Sequence, residues 1–345
     1  MESAKDVKKD ERKDALLEWL KKCALPVSSI EAMAGDASFR RYFRVQINHH
    51  SYVVMDALPS HEPCHSFVQI AYALRDIGLN APEVIQSNLE HGFLLLTDYG
   101  DTTFLKALTQ DKSMAMPLYS TALKALAVLQ NCRHVRGYEL PAFDEGWLAR
   151  EWAWHKEWFL GQFLGLAAIE NEALLDAEYD QLIDTAISQP QVFMHRDFHS
   201  ANLMVLPNEA VGLLDFQDAF IGPVTYDLAS LLRDCYIDWP DKNVKTWVLT
   251  YLRLLQQHGQ LTNVHDDVFM RWFDWMGIER HLKALFTFAR KEVRDGQSQY
   301  LQHMPRTLNY ILQATKTYPE LKNLHHYYAK VVKPLLVERL TACAP

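Results

Sequence analysis

His195-Arg196-Asp197-Phe198-His199-Ser200-Ala201-Asn202 leads into Leu203-Met204-Val205-Leu206, and after Pro207-Asn208-Glu209 the chain returns through Val211-Gly212-Leu213-Leu214-Asp215-Phe216. Two short apolar runs around a turn of Pro, Asn and Glu read as a β-hairpin. One support then carries an aspartate, a side-chain amide five residues on, and a second aspartate 13 residues beyond that. Strand pairing brings Asn202 and Asp215 towards one end of the ladder, with Asp215 closing the second strand. Taken singly, each Asp or Asn reads as a turn or cap residue. His195 and His199 stand four apart, but the Glu of H-E-x-x-H is missing and the segment lies at a strand end, so a zinc site is not the reading. His195 reads as a group that orders the loop by hydrogen bonding.

Upstream, residues 1–25 predict a helix, with Ala15, Leu16, Trp19, Leu20 and Cys23 near the 3.6 period. Between Ile30 and Thr97 the texture is β-rich. Residues 39–45 alternate, Asn48 to Ser51 turn, and Tyr52-Val53-Val54-Met55 follows, which predicts a second hairpin. A helix over 67–77 ends at Gly78, and strands follow at 84–85 and 93–96. From Thr103 the pattern is helical at 103–110, 113–131, 145–164, 171–187 and in several segments between 224 and 342, interrupted by the hairpin above. The expectation is an α+β chain with a small antiparallel-sheet lobe and leading helix over 1–97, and a larger mainly helical lobe over 98–345. A small ligand is expected in the cleft between such lobes.

The 345 residues exceed what one core usually serves, which agrees with two parts. A hydrophobic share of 49% excludes a disordered chain. Lys and Arg number 35 against 43 Asp and Glu, a net charge of −8, and no basic stripe is interleaved with aromatics, so no nucleic-acid partner is expected. The five cysteines are scattered without a C-x-x-C pair, which argues against a disulfide framework. No run approaches 18 apolar residues and Met1 to Asp14 lacks an apolar core, so neither a membrane span nor a signal peptide is expected. The expectation is a cytoplasmic monomer that takes a small-molecule substrate.

The hairpin constellation suits phosphoryl transfer, in which positioning and charge neutralisation carry most of the catalysis. Asn202 and Asp215 offer hard oxygen ligands for Mg²⁺ bridging nucleotide phosphates, and Asp197 can orient an acceptor hydroxyl and accept its proton. The H-R-D-F-H-S-A-N run followed by L-L-D-F resembles the catalytic and metal-binding segments of the protein-kinase-like phosphotransferases, and more narrowly their aminoglycoside phosphotransferase and choline kinase branch. Gly222-Pro223-Val224-Thr225-Tyr226-Asp227-Leu228-Ala229 is similar to that branch's G-P-x-x-Y-D-L-A segment. The resemblance implies a bilobal protein-kinase-like fold, ATP and Mg²⁺ as cofactors, and a bracing role for Asp227 under the catalytic loop.

The stretch from Leu231 to Pro240, and that from Arg280 through Arg290 and Arg294 to Leu301, look like segments of the bacterial amino-sugar kinases of cell-wall recycling. Membership of that subgroup implies transfer to the anomeric hydroxyl of N-acetylmuramate or N-acetylglucosamine, giving an α-1-phosphate that a nucleotidyltransferase consumes. An aminoglycoside or small-alcohol kinase uses the same site, and a nucleotide-binding pseudokinase is the rival of another class. Neither G-x-G-x-x-G nor a Walker motif occurs. The turn holding Gly35, Asp36 and Ser38 matches the phosphate-covering loop, and Leu95 to Thr97 match the strand and hinge that receive adenine. Met55 stands where the third-strand Lys is expected, and Gln69, not a Glu, represents the following helix. Met55 suggests the pseudokinase, and the intact Asp197, Asn202 and Asp215 argue against it. Arg40, Arg41 or Arg44 is expected to supply the missing positive charge from the neighbouring strand. For the acceptor, the helical part offers Arg233, Asp234, Arg280, Lys283, Arg290 and Arg294, any arginine among them able to hold a carboxylate in bidentate fashion. Trp152, Trp154, Trp158 and Phe159 read as packing between helices.

Overall fold

Asn48 and His49 adopt φ of 48° and 66°, the left-handed pair that a two-residue hairpin turn requires. They join β2 (Arg41–Ile47) to β3 (His50–Asp56) in the predicted hairpin. The computed structural model describes residues 4–33, 40–60 and 64–342. They fall into two compact units, one of Met1–Thr102, His134–Glu139 and Gly212–Gln217, the other of Thr103–Arg133, Leu140–Val211 and Asp218–Pro345.

The first unit holds a five-stranded antiparallel sheet. β1 (Val27–Ala32), β4 (Val84–Asn88) and β5 (Phe93–Thr97) complete it in the order β1-β2-β3-β5-β4. Strand alternation puts Phe43, Val45 and Ile47 on one face, where they pack with Leu16, Trp19 and Leu20 of α1 (Ala4–Lys22). Residues Phe93 to Leu96 of β5 are buried, as a central strand requires. α2 (His65–Asp76) follows β3 and also carries a buried apolar stripe.

The second unit is helical. It comprises α3 (Phe104–Gln110), α4 (Ala115–Leu129), α5 (Glu145–Trp154), α6 (Glu172–Ser188), α7 (Tyr226–Leu232), α8 (Asp241–Gln257), α9 (Asp266–Asp295), α10 (Met304–Thr317), α11 (Lys322–Tyr327) and α12 (Lys333–Ala342). The 30-residue α9 spans about 45 Å and is buried along much of its length. It ends at Gly296, whose φ of 66° provides the left-handed cap.

Four local expectations change. The helix expected over 113–131 begins as a 3₁₀ turn, Lys112–Met114. The helix expected over 145–164 becomes a π-helix over His155–Phe163, where the wider turn buries His155, Phe159, Leu160 and Phe163 together. A short ladder absent from the sequence reading pairs β6 (Gln191–Met194) with β9 (Phe220–Pro223). Its strands are four residues each and one ends in Gly-Pro, a pair that reads as a turn. β7 (Leu203–Val205) and β8 (Val211–Leu213) flank the expected turn, where Leu206 N–H donates to the Ala210 carbonyl at 2.8 Å. Asp215 stands two residues past β8 instead of closing it, because its φ of 61° cannot continue an extended chain.

Candidate active site

The loop from His195 to Asn202 leaves β6 and enters β7, and buried carboxylates hold it at both ends. Asp227, in the first turn of α7, accepts from the backbone N–H of His195 at 2.6 Å and of Arg196 at 3.0 Å. Burial pushes its carboxyl up to about 7, against the pull of those two donors. Asp234 accepts from Ser200 N–H at 2.9 Å, from Ser200 Oγ at 2.5 Å and from Tyr236 N–H at 2.8 Å. Arg196 lies at φ 74°, a strained position for a non-glycine residue. Its guanidinium pairs with Glu151 Oε1 at 3.1 Å and covers the Phe220 ring at 4.8 Å. These contacts hold the loop backbone at both ends.

Between these anchors Asp197 is half-buried, and its Oδ1 accepts from Lys283 Nζ of α9 at 2.8 Å. Burial opposes its charge, but Lys283, His199 and Arg196 together hold the carboxyl well below the usual carboxylate range. Asn202 Nδ2 donates to the Asp197 carbonyl at 3.0 Å, which orients the amide and ties the two residues together. His199 is buried, with its ring set edge-on to Tyr236 at 5.3 Å.

Lys283 lies 86 residues from Asp197 in sequence. In sequence Lys283 stands among the acceptor candidates, and nothing in its spacing joins it to the aspartate. Its only signal was a place on the same face as Glu279, one helical turn earlier. Glu279 is buried against Glu151, and its carboxyl is pushed well above the usual range by burial and by that neighbouring carboxylate. The Lys283 ammonium and the Arg196 guanidinium pull it back only in part.

The first unit holds Asp215, whose Oδ1 accepts from Gln217 Nε2 at 2.7 Å and lies 3.9 Å from Arg40 NH1. Arg41 and Arg12 both clamp the buried Asp56. Arg44 grips Asp98 through Nε at 2.7 Å and NH2 at 3.1 Å, and pairs with Asp101. Of the three arginines expected to replace the third-strand Lys, Arg41 and Arg44 are thus committed to carboxylates of the same unit. Met55 is buried, with Tyr42 and Leu94 as its cross-strand neighbours. Leu95 is buried in β5 between Val54 of β3 and Gln86 of β4, and Thr97 gives its N–H to the Glu83 carbonyl at 3.1 Å. Gly35, Asp36 and Ser38 lie outside the described residues.

Most acceptor candidates also find other roles. Asp234 is a loop brace, as its three bonds show. Arg280 is buried, with Nε 3.3 Å from Ser230 Oγ and NH1 2.8 Å from Cys235 Sγ. Arg233 pairs with Asp241 at 2.7 Å and lines a hollow with Asp274, His281, Tyr310 and Lys316. Arg294 is paired with Asp295 at 2.8 Å. Trp152 stacks on Tyr179 at 4.7 Å, and Trp154 packs against Phe286, so these two aromatics do pack between helices.

With this geometry in view, the sequence profile of the Phosphotransferase enzyme family matches residues 29–266. The chain belongs to this family. Among its relatives is the N-acetylmuramate/N-acetylglucosamine kinase of Pseudomonas putida, 40% identical over 309 residues that cover 89% of each chain. The Neisseria meningitidis protein of the same name is 38% identical over 87% of this chain and 89% of its own. In structure, a choline kinase from Streptococcus pneumoniae superposes with a TM-score of 0.60 at 13% identity, over 88% of this chain and 99% of that one. An ADP-bound aminoglycoside phosphotransferase, APH(2'')-Ib, does so with a TM-score of 0.59 at 13% identity, over 86% and 97%. These likenesses show the protein-kinase-like fold that the sequence led us to expect. A family member carrying this loop is a phosphotransferase, and the pseudokinase alternative falls away. Among the described residues no helix is long and apolar enough to cross a membrane.

Proposed function

We propose that this phosphotransferase transfers the γ-phosphoryl group of ATP to the anomeric hydroxyl of N-acetylmuramate or N-acetylglucosamine. The observation that carries the reading is the 40% identity, across 89% of both chains, to a kinase named for these two sugars. A bond forms between the anomeric oxygen and the γ-phosphorus, the bond to the β–γ bridging oxygen breaks, and its electron pair leaves with ADP. The hydroxyl proton goes to Asp197 or through it to water. A sugar 1-phosphate results, the kind of product a nucleotidyltransferase consumes. ATP as donor fits a cytoplasmic enzyme.

Asp197 is held anionic by Lys283, so it orients the hydroxyl more effectively than it removes the proton. A loose, metaphosphate-like transition state needs the orientation first and base strength only late. Asn202 and Asp215 are hard oxygen donors suited to Mg²⁺. The Asn202 amide is oriented by its bond to the Asp197 carbonyl, which sets it beside the catalytic aspartate. Bound there, Mg²⁺ would neutralise charge on the nucleotide phosphates. Asp227 and Asp234 keep the loop in register while substrates exchange.

The test incubates the purified chain with ATP, Mg²⁺ and a panel of both amino sugars, an aminoglycoside and choline. Phosphorus NMR identifies the product. The expected result is a sugar 1-phosphate, with kcat lowered about 10²- to 10⁴-fold in Asp197→Asn. Phosphorylation of choline or the aminoglycoside alone, or full activity of that variant, overturns the reading.

A further inference from the structure

N-acetylmuramate differs from N-acetylglucosamine by a lactyl ether on the sugar ring that ends in a carboxylate. An enzyme that takes both needs either no contact with that group or one cation able to meet it. The partners of the cations around the catalytic loop separate them. Lys283 is on Asp197, Arg233 on Asp241 and Arg294 on Asp295. Arg280 is enclosed beside Ser230 and Cys235, and Arg306 NH1 donates to the Cys235 carbonyl at 2.8 Å. Lys291 sits over the Tyr300 ring at 3.9 Å.

Arg290 differs from all of these. It is half-buried, and its enclosed Nε has no acceptor among the described residues. Burial and the neighbouring Arg294 both disfavour its charge, while Asp295 is engaged by Arg294. A half-enclosed guanidinium that shares Asp295 with Arg294 is poorly neutralised, which favours the arrival of an anion.

Arg290 follows Lys283 by seven residues in α9, so both lie on one face, about 10 Å apart along the axis. Long helical side chains lean towards the N-terminus, which carries the guanidinium back towards the Lys283–Asp197 pair. A sugar whose anomeric hydroxyl meets Asp197 would then have this guanidinium on the same helix face as Lys283.

We propose that Arg290 binds the lactyl carboxylate of N-acetylmuramate and sets how well the enzyme takes the acidic sugar relative to the neutral one. The proposal rests on the substrate reading above. The test measures kcat and KM for both sugars, at saturating ATP and Mg²⁺, in the full chain and in Arg290→Gln and Arg290→Lys. Loss of a charge-assisted bidentate contact is expected to raise the KM for N-acetylmuramate about tenfold or more in Arg290→Gln. The KM for N-acetylglucosamine should stay within about twofold, since that sugar has no group for the arginine. Arg290→Lys, which keeps the charge but not the fork, should fall between. Equal losses on both sugars identify a structural role and overturn the assignment, as does an unchanged N-acetylmuramate KM. If the unaltered chain phosphorylates neither sugar, the substrate reading fails and this proposal with it. If it phosphorylates both and the variants lose no selectivity, the Arg290 assignment alone fails.

Discussion

Asp197 and Lys283 form the pair on which the chemistry turns. The lysine lowers the carboxyl below its ordinary value, after burial has worked against it. In Lys283→Met that restraint is gone while burial still opposes the charge, so the carboxyl rises and an acid limb that lies below pH 4 in the parent should move up into the kcat/KM profile. A profile between pH 4 and 8 reads this, and the absence of a new limb in the variant would show that Lys283 does not tune the aspartate. Asp227 is the second decisive residue. Asp227→Ala orphans two backbone N–H groups, one of them fully enclosed, at a cost of about 2–5 kcal/mol. Urea unfolding should show that loss together with a fall in kcat. If stability stays within about 0.5 kcal/mol of the parent, the brace is not as drawn.

At the scale of elements, α9 is the spine of the site, carrying Glu279, Lys283 and Arg290 on one face. The π-helical continuation of α5 locks against it, for His155 donates through Nδ1 to the Leu282 carbonyl at 2.8 Å and accepts from Tyr328 Oη at 2.7 Å. Burial lowers His155 to about 3, so it stays neutral and can make both bonds across the working range. Where Glu151 of α5 meets Glu279 of α9, the raised pKa of Glu279 gives stability a pH slope. Its carboxyl keeps a proton in the fold that it releases when unfolded, so stability falls as pH rises above the unfolded value near 4.5. Glu279→Gln mimics the neutral form and removes that slope. Its Tm relative to the parent should therefore improve by about 2 °C or more between pH 5 and pH 8. A constant Tm difference across that range would contradict the raised Glu279 carboxyl.

At the scale of the whole molecule, the net charge of −8 opposes an anionic sugar, whereas a local arginine attracts it. Salt separates the two effects, because surface charges are screened within about 10 Å at 0.1 M. With nucleotide saturating, raising KCl from 50 to 500 mM should raise the KM for N-acetylmuramate and leave that for N-acetylglucosamine nearly unchanged. A falling KM for the acidic sugar would mean that the overall charge governs its binding. The parts of this protein that the sequence alone determined are the local ones. The β2–β3 turn needs only Asn48 and His49, the catalytic loop lies within eight consecutive residues, and most helices follow from their apolar period. The π-helix, the four-residue β6–β9 ladder and the end of β8 before Asp215 were not legible, because packing against distant segments sets them. The same holds for the charges. A sequence shows that Arg41, Arg44, Arg280 and Arg290 are present, but not which of them already faces a carboxylate. Only the tertiary structure brought Lys283 to Asp197 across 86 residues and left the Arg290 Nε without an acceptor among the described residues, since pairing depends on distance in space and on burial, and neither is written in the order of the residues.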